Sequence, residues 1–422
     1  MKDIVYWMDP RPIVKDYSIS HVPSKTDVLL IGSGYTSVVT AIYLAKAGVK
    51  TVVIDKGEIG SEASSKNGGM VLTGLSVSFY KILKQFGKDK LKQYFAESLS
   101  SIDCVEQLVN EGQIDCDFLR CGHFEVAYKP SHFDGLKEEA EFLEETLGHQ
   151  TSLVFPEKMQ EELASESYHG GLIDSKSASV QPAKYMAGLV ALAEKVGVEF
   201  SSYVEAALVK KINGRFEIIT NMGVVKADNV VIGTNGYTTL VSPWLKKRIV
   251  PVESFMIATE KLPDGVIKTL IPNNRMVFDT KRFLYYFRLS PDRQRILFGG
   301  RPRRTTTNTK EKADQMKEDL LTVFPQLDSY KIDYAWGGKI GFTVSRFPMI
   351  GVNKGIYYAM GYCGHGVAMA TYLGSKLSRF ILENKLDTVF AENKAFPIPF
   401  NRGNPWFLPI AHNWFRLMDR IS

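Results

Sequence analysis

A short apolar run at residues 27–31 is followed at once by Gly32-Ser33-Gly34-Tyr35-Thr36-Ser37, and residues 38–47 then carry apolar side chains at helical spacing up to Gly48. A second apolar run, residues 51–54, ends on Asp55. The spacing predicts a β-α-β unit, which commits the start of the chain to a parallel sheet, because parallel strands need a crossover connection. Gly32 permits the tight turn and Gly34 lets the backbone approach a pyrophosphate. The helix start, with the N–H groups of Tyr35 and Thr36, offers unpaired donors and a positive dipole to those phosphates. Ser37 stands in the place of the usual third glycine and is small enough to keep helix and strand close. Asp55, 21 residues after Gly34, is placed to accept hydrogen bonds from an adenosine ribose and to repel a 2′-phosphate, which disfavours NADP.

The chain has 422 residues, enough for two or three core-forming units or two interleaved domains, with room to bury a large cofactor. Its 52 Lys and Arg against 46 Asp and Glu leave a formal charge of +6. The basic clusters Lys246-Lys247-Arg248 and Arg301-Pro302-Arg303-Arg304 are short and scattered, so nucleic acid is not expected as a partner. No run of eighteen apolar residues occurs, and residues 1–19 lack the apolar stretch of a signal peptide, so no integral membrane segment is expected. Cys104, Cys116, Cys121 and Cys363 match neither a zinc site nor a C-x-x-C redox pair. No metal is expected, and a reducing cytoplasm is the simplest location.

Residues 77–147 turn helical and charged, interrupted by a strand-like alternation at 122–128. Residues 182–196 read as a helix with proline in its first turn. Residues 215–220 and 224–226 form a hairpin pattern, and 230–233 is then a buried strand leading into Thr234-Asn235-Gly236. Alternating segments at 254–259, 283–289 and 295–298 predict a mainly antiparallel sheet that covers a ligand. A last strand, 356–360, precedes Gly361-Tyr362-Cys363-Gly364-His365-Gly366 and a helix with apolar residues at Val367, Ala370, Leu373, Leu377 and Phe380.

The two glycine-rich helix starts are far apart in sequence, which fits one cofactor stretched between them. A flavin is stabilised when reduced by a helix dipole near its N1 and C2 carbonyl, and FAD has the reach. Ala63-Ser64-Ser65-Lys66-Asn67-Gly68-Gly69 supplies hydroxyls, a cation and free amides for the middle of such a ligand.

These motifs resemble those of the D-amino-acid-oxidase-like FAD-dependent oxidoreductases. They recur in the family's order with Thr234-Asn235-Gly236-Tyr237, Trp336-Gly337-Gly338 and Pro348-Met349-Ile350-Gly351, and the likeness extends nearly the full length. It is strongest to members that oxidise gamma-glutamylated diamines. The resemblance implies adenine and pyrophosphate contacts at Gly32, Gly34, Asp55 and Lys56, and flavin-side contacts at Ser64, Ser65, Lys66, Asn67, Gly68 and Gly69. It further implies a backbone contact at Val204, support from Thr234, Asn235, Gly236 and Gly338, and closure by Gly364, His365, Gly366 and Val367. Lys66 stands where relatives usually have arginine, replacing a planar fork with a point charge. Relatives that oxidise α-amino acids hold the substrate carboxylate with an arginine at the position of Ile340, and relatives with covalent flavin have cysteine there. Ile340 does neither, which implies an amine whose charged groups lie away from the reacting carbon, and non-covalent FAD.

The expected fold is α/β (α+β overall): an interrupted Rossmann-like FAD domain (20–80, 150–245, 340–390), a substrate domain on a mainly antiparallel sheet with helices (81–149, 246–339), and a packed tail (391–422). The expected reaction is oxidation of a primary or secondary amine to an imine, which water then hydrolyses, with O2 or another electron acceptor as partner. Tyr286 and Arg288, sharing one strand face, are expected to meet the substrate, Arg288 through a remote carboxylate, and His365 the flavin. Lys281 and Lys339 are candidate oxygen-activating cations. The alternatives are a dehydrogenase that passes electrons to a quinone or other carrier, with the aromatic tail (Trp406, Phe407, Trp414, Phe415) at a membrane; a non-catalytic flavoprotein; and an NAD-dependent dehydrogenase.

Overall fold

The computed structural model describes residues 1–10, 12, 15–18, 22–302, 306–393, 396–399 and 407. The expected aromatic tail lies outside them except for Phe407, as do Arg303 and Arg304. The first sheet is built on five parallel strands in spatial order Ile356–Met360, Gly223–Ile232, Lys25–Ile31, Thr51–Ile54 and Glu199–Ser201. Met349–Asn353 pairs antiparallel with its outer edge, and Arg215–Thr220 with Ala206–Ile212 forms a hairpin on the long strand Gly223–Ile232. Period-two alternation explains why both faces are covered. Val28 and Leu30 enter a core with helices Tyr35–Lys46, Pro182–Lys195 and Gly366–Glu383, whereas Leu29 and Ile31 enter a second core with Phe216 and Ile218.

Residues 224–226 and 230–233 are not two elements. They belong to one ten-residue strand whose first half pairs with the hairpin while residues 226–232 follow Lys25–Ile31. A sequence break in apolarity there reflects exposure of one stretch, not an interruption of pairing.

The second sheet runs in order Ile332–Phe342, Val250–Thr259, Ile296–Gly300, Tyr286–Leu289, Met276–Asp279, His123–Val126, Gly171–Asp174 and Ser152–Val154, antiparallel apart from the Met276–Asp279 and His123–Val126 pair. One face packs Phe255, Ile257, Phe287 and Phe298 against Ala313, Met316 and Leu320 of helix Thr309–Val323. The alternate residues Ser254, Met256 and Tyr286 face the other way.

The helical segment Phe79–Gly112, broken at Gly87 (φ +81°), buries Leu91, Ile102 and Leu108 in the core of the first sheet, and the strands at 152–154 and 171–174 join the second sheet. An apolar stripe shows that a helix is buried, not which core receives it. Among the described residues no helix is long and apolar enough to cross a membrane.

Candidate active site

In an open parallel sheet, ligands bind beyond the carboxyl ends of the strands, where the order reverses direction. Here chain order runs outward from Lys25–Ile31 to Thr51–Ile54 on one side and to Gly223–Ile232 on the other. Past those ends come Gly32, Asp55 and Thr234, and past Ile356–Met360 comes Gly361. One cavity of about 620 Å³ opens at this edge and runs under the second sheet. It is lined by Gly32, Gly34, Tyr35, Thr36, Asp55, Lys56, Ser64, Lys66, Asn67, Gly68, Val204, Thr234, Asn235, Gly338, Gly364, His365, Gly366 and Val367, and from the roof by Tyr286.

Both glycine-rich helix starts therefore reach the same space. Gly32 has φ +90°, and a Cβ there would come within 2.8 Å of Thr234 Cγ2. Helix Tyr35–Lys46 begins at Gly34, where a Cβ would stand 3.1 Å from Ser64 Oγ; that same oxygen accepts from Tyr35 N–H at 3.1 Å. Ser37 works as the third small residue because Gly233 leaves room for its Oγ, which is buried without a hydrogen-bond partner. The two helices lie close enough that a Cβ at Gly374 would meet the Thr36 carbonyl at 2.8 Å, and Thr40 Oγ1 donates to Gly374 O at 2.9 Å.

Asp55 is held in place before any ligand arrives: one carboxylate oxygen accepts from Ser33 N–H (2.8 Å) and Ser33 Oγ (2.7 Å), the other from Gly57 N–H (2.9 Å). A carboxylate has about four acceptor sites, so it retains capacity for a ribose hydroxyl. Asn67 N–H groups bond the carbonyls of Ala63 and Ser64, and Asn235 Oδ1 accepts from Gly361 N–H at 3.0 Å, tying the turn at residues 234–236 to the last glycine turn. Lys66 Nζ pairs with Glu62 at 2.9 Å along one helical turn, the geometry of a point charge rather than a fork. At the other end, His365 precedes helix Gly366–Glu383; its Nδ1 is buried with no hydrogen-bond partner, and burial pushes its pKa down to about 4, leaving a neutral ring facing the cavity.

Four expected residues sit elsewhere. Ser65 Oγ donates to Gly60 O at 2.7 Å, and Gly236 backs against the 339–341 backbone. Gly69 takes a positive φ under Val180 and does not line the cavity. Arg288 shares a strand face with Tyr286 but lies behind it, 6% exposed, donating from Nε to Leu289 O (3.2 Å) and from Nη1 to Gly69 O and Val180 O (both 3.0 Å). Three of its five N–H donors go to backbone carbonyls and it does not line the cavity, so this geometry does not support the expected contact with a substrate carboxylate. Lys281 is paired with Asp279 at 2.8 Å, whereas Lys339 lines the cavity.

Sequence reasoning missed two groups. Arg301 and Arg346 line the cavity near Tyr286 and His365, and burial, then the neighbouring Arg346, push the Arg301 pKa down. The only sequence sign is a cation after Gly299-Gly300, where two residues without side chains leave space. At the far end, Glu125, Glu139, His149 and Asp174 also line the cavity. His149 Nε2 contacts Asp174 Oδ2 at 2.9 Å, and Thr73 donates to the same oxygen at 2.7 Å. Burial raises the Glu125 and Glu139 carboxyls above their usual range, and for Glu125 the charges of Glu139 and Asp279 add to it. A carboxyl with a raised pKa in the folded state gives stability that is fully present below the ordinary carboxylate pKa and is lost as pH rises through the raised value. Glu125→Gln is therefore expected to raise the melting temperature at pH 8 far more than at pH 5. Equal shifts at both pH values in differential scanning fluorimetry would refute it. Among the described residues no group of three or more His, Cys, Asp or Glu side chains could hold a metal ion.

Comparison with known proteins fits this geometry. Residues 27–379 match the family described as DAO, FAD dependent oxidoreductase. The probable oxidoreductase OrdL of Haemophilus influenzae is 33% identical over 363 residues, covering 84% of this chain and 83% of that protein. Gamma-glutamylputrescine oxidoreductase of Escherichia coli is 31% identical over 403 residues, covering 94% and 93%. The crystal structure of glycine oxidase from Geobacillus kaustophilus superposes with a TM-score of 0.72 at 18% identity, covering 89% of this chain and 98% of that one. L-proline dehydrogenase from P. horikoshii superposes with a TM-score of 0.70 at 21% identity, covering 92% and 99%.

Proposed function

Because this chain belongs to the DAO family of FAD-dependent oxidoreductases, we propose that it oxidises a primary or secondary amine to an imine, and that the imine is then hydrolysed in water. The carrying observation is that Ile340 lines the cavity beneath the second sheet. An apolar side chain there gives no anchor for a carboxylate on the reacting carbon.

The residues present fit FAD: two helix starts on one cavity, a preorganised carboxylate at Asp55, and His365 on the cavity wall with a buried nitrogen that has no hydrogen-bond partner. When bound, FAD supplies a two-electron acceptor for the amine's α C–H bond. The N–H groups at the start of helix Tyr35–Lys46 would hold the pyrophosphate, Asp55 and the Val204 backbone the adenosine side, and the Gly364 to Val367 backbone with His365 the flavin end. Tyr286 carries the roof: its ring packs so close to Gly68 that a Cβ there would stand 3.1 Å away, and its hydroxyl meets Ser254 Oγ at 2.9 Å. Burial pushes the Tyr286 pKa up to about 12, so the wall stays neutral and keeps water from the reacting carbon. Positioning and water exclusion, rather than acid-base groups, carry the rate.

FAD is held non-covalently. Ile340 has no nucleophile, and the cavity-lining Cys363 is an inert thiol, donating to Gly361 O at 3.2 Å with its pKa pushed up to about 11 by burial. O2 would be the electron acceptor, and Lys339 is a cation on the cavity wall that could face it.

Anaerobic mixing with a panel of gamma-glutamylated diamines, polyamines, sarcosine, glycine and D-alanine tests the reading. Loss of the oxidised-flavin band is expected with one or more non-α-carboxylated amines, at least ~100-fold faster than with free glycine or D-alanine. Bleaching by free α-amino acids alone would contradict it. Air reoxidation that is slow on the turnover timescale would move the electron acceptor from O2 to a carrier.

A further inference from the structure

Among the described residues, the buried arginines differ in what they meet. Arg275 pairs with Glu162 at 2.7 Å, Arg295 with Asp333 at 2.6 Å, and Arg288 donates to three carbonyls. Arg301 is half-buried on the cavity wall, yet among the described residues no carboxylate or carbonyl accepts from it. Its guanidinium lies between the rings of Phe283 (5.2 Å) and Phe342 (5.4 Å), and its charged neighbour is another cation, Arg346.

The strand register places it. Tyr286 is opposite Gly299, and two residues further along the chain returns to the same face, so Arg301 stands on the cavity side of the sheet beside Tyr286. Across the neighbouring strand, Ser254 is opposite Gly338, which has no side chain to fill the space. A partly desolvated guanidinium with no anion is unfavourable to the folded protein, and it becomes favourable once a carboxylate engages its planar fork. The flanking rings hold that plane without using its donors.

We propose that Arg301 anchors a carboxylate that the amine substrate carries at a distance from its reacting carbon. This rests on the amine-oxidation reading and narrows it: preferred substrates are ω-amino acids and acylated diamines ending in a carboxylate, such as gamma-glutamyl amides, and plain alkylamines and polyamines are poor. Ile340 denies the carboxylate a place at the reacting carbon, and Arg301 supplies one further out.

The test uses flavin-loaded wild type, Arg301→Met and Arg301→Lys. ε-Aminocaproate and hexylamine, alike except for the carboxylate, are compared by anaerobic flavin bleaching, and caproate, which has no amine to oxidise, is titrated against the flavin spectrum. Wild type should favour ε-aminocaproate by at least ~30-fold, and Arg301→Met should bring that ratio close to one while weakening caproate binding roughly 100-fold. Arg301→Lys should fall between, keeping the charge without the fork. Arg301→Met should also melt no lower than wild type, because an uncompensated charge has been removed. A ratio and caproate affinity that survive Arg301→Met, a wild-type preference for hexylamine, or a sharp fall in melting temperature would each overturn the proposal. Failure of every amine to bleach the flavin, with Arg301-dependent caproate binding intact, would instead remove the amine reading and leave the anchor standing.

Discussion

Valine in place of Gly32 is expected to give a folded chain that purifies without colour. Gly32 has φ +90°, a region that β-branched side chains do not tolerate, and a Cβ would meet Thr234 Cγ2 at 2.8 Å and its Cα at 3.3 Å. Strain of about 1–3 kcal/mol would be relieved by moving the turn, and with it the N–H groups that begin helix Tyr35–Lys46. Flavin content per chain should fall by more than ~10-fold, since a displaced set of donors forfeits several charge-assisted hydrogen bonds together. Gly48→Ala is the control: its φ is +81° but nothing lies within 4 Å, so it carries similar backbone strain far from the cavity. Absorbance and circular dichroism together decide the matter. A Gly32→Val protein with full flavin content would show that the turn does not hold the phosphates.

Arg288→Met is expected to act on stability rather than on substrate affinity. The substitution strips donors from the carbonyls of Gly69, Val180 and Leu289 in a site that is 6% exposed. Unpaired buried carbonyls cost about 1–3 kcal/mol each. Gly69 and Val180 belong to the backbone strap beside the cavity, joined by Val180 N–H to Gly69 O at 2.8 Å. Denaturant melts of the flavin-loaded protein should therefore shift strongly, with flavin lost early in the transition. A variant that melts like the parent but has a higher KM for amines would restore Arg288 to the substrate site.

The contrast between Arg288 and Arg301 marks how far the sequence could be read. The β-α-β unit was legible because turn glycines, helix start and terminal carboxylate lie within 24 residues, from Gly32 to Asp55, and local rules act over that range. The closing glycine turn was legible for the same reason. Period-two alternation correctly puts Tyr286 and Arg288 on one face, but depth along a strand depends on what lies beneath it, and Gly69 with Val180 comes from segments more than a hundred residues away. Glu125 shows the same limit. It occupies the polar position of an alternating strand, which reads as a solvent-facing site, yet that face looks into the cavity. The division of the long helix and of strands 152–154 and 171–174 between the cores was unreadable because burial has no address in a single sequence.

The contact of Gly374 with the Thr36 backbone has a consequence for biosynthesis. As the chain leaves the ribosome, the segment that grips adenosine emerges first, but the helix that fixes its orientation and completes the opposite grip is made more than three hundred residues later. Domains generally form in the order of synthesis, so for most of translation the nascent polypeptide carries half of a binding site. Stable capture of the vitamin-derived ligand then becomes a late, post-translational event, and supplying riboflavin during expression should raise the yield of native enzyme more than lengthening the time allowed for early folding.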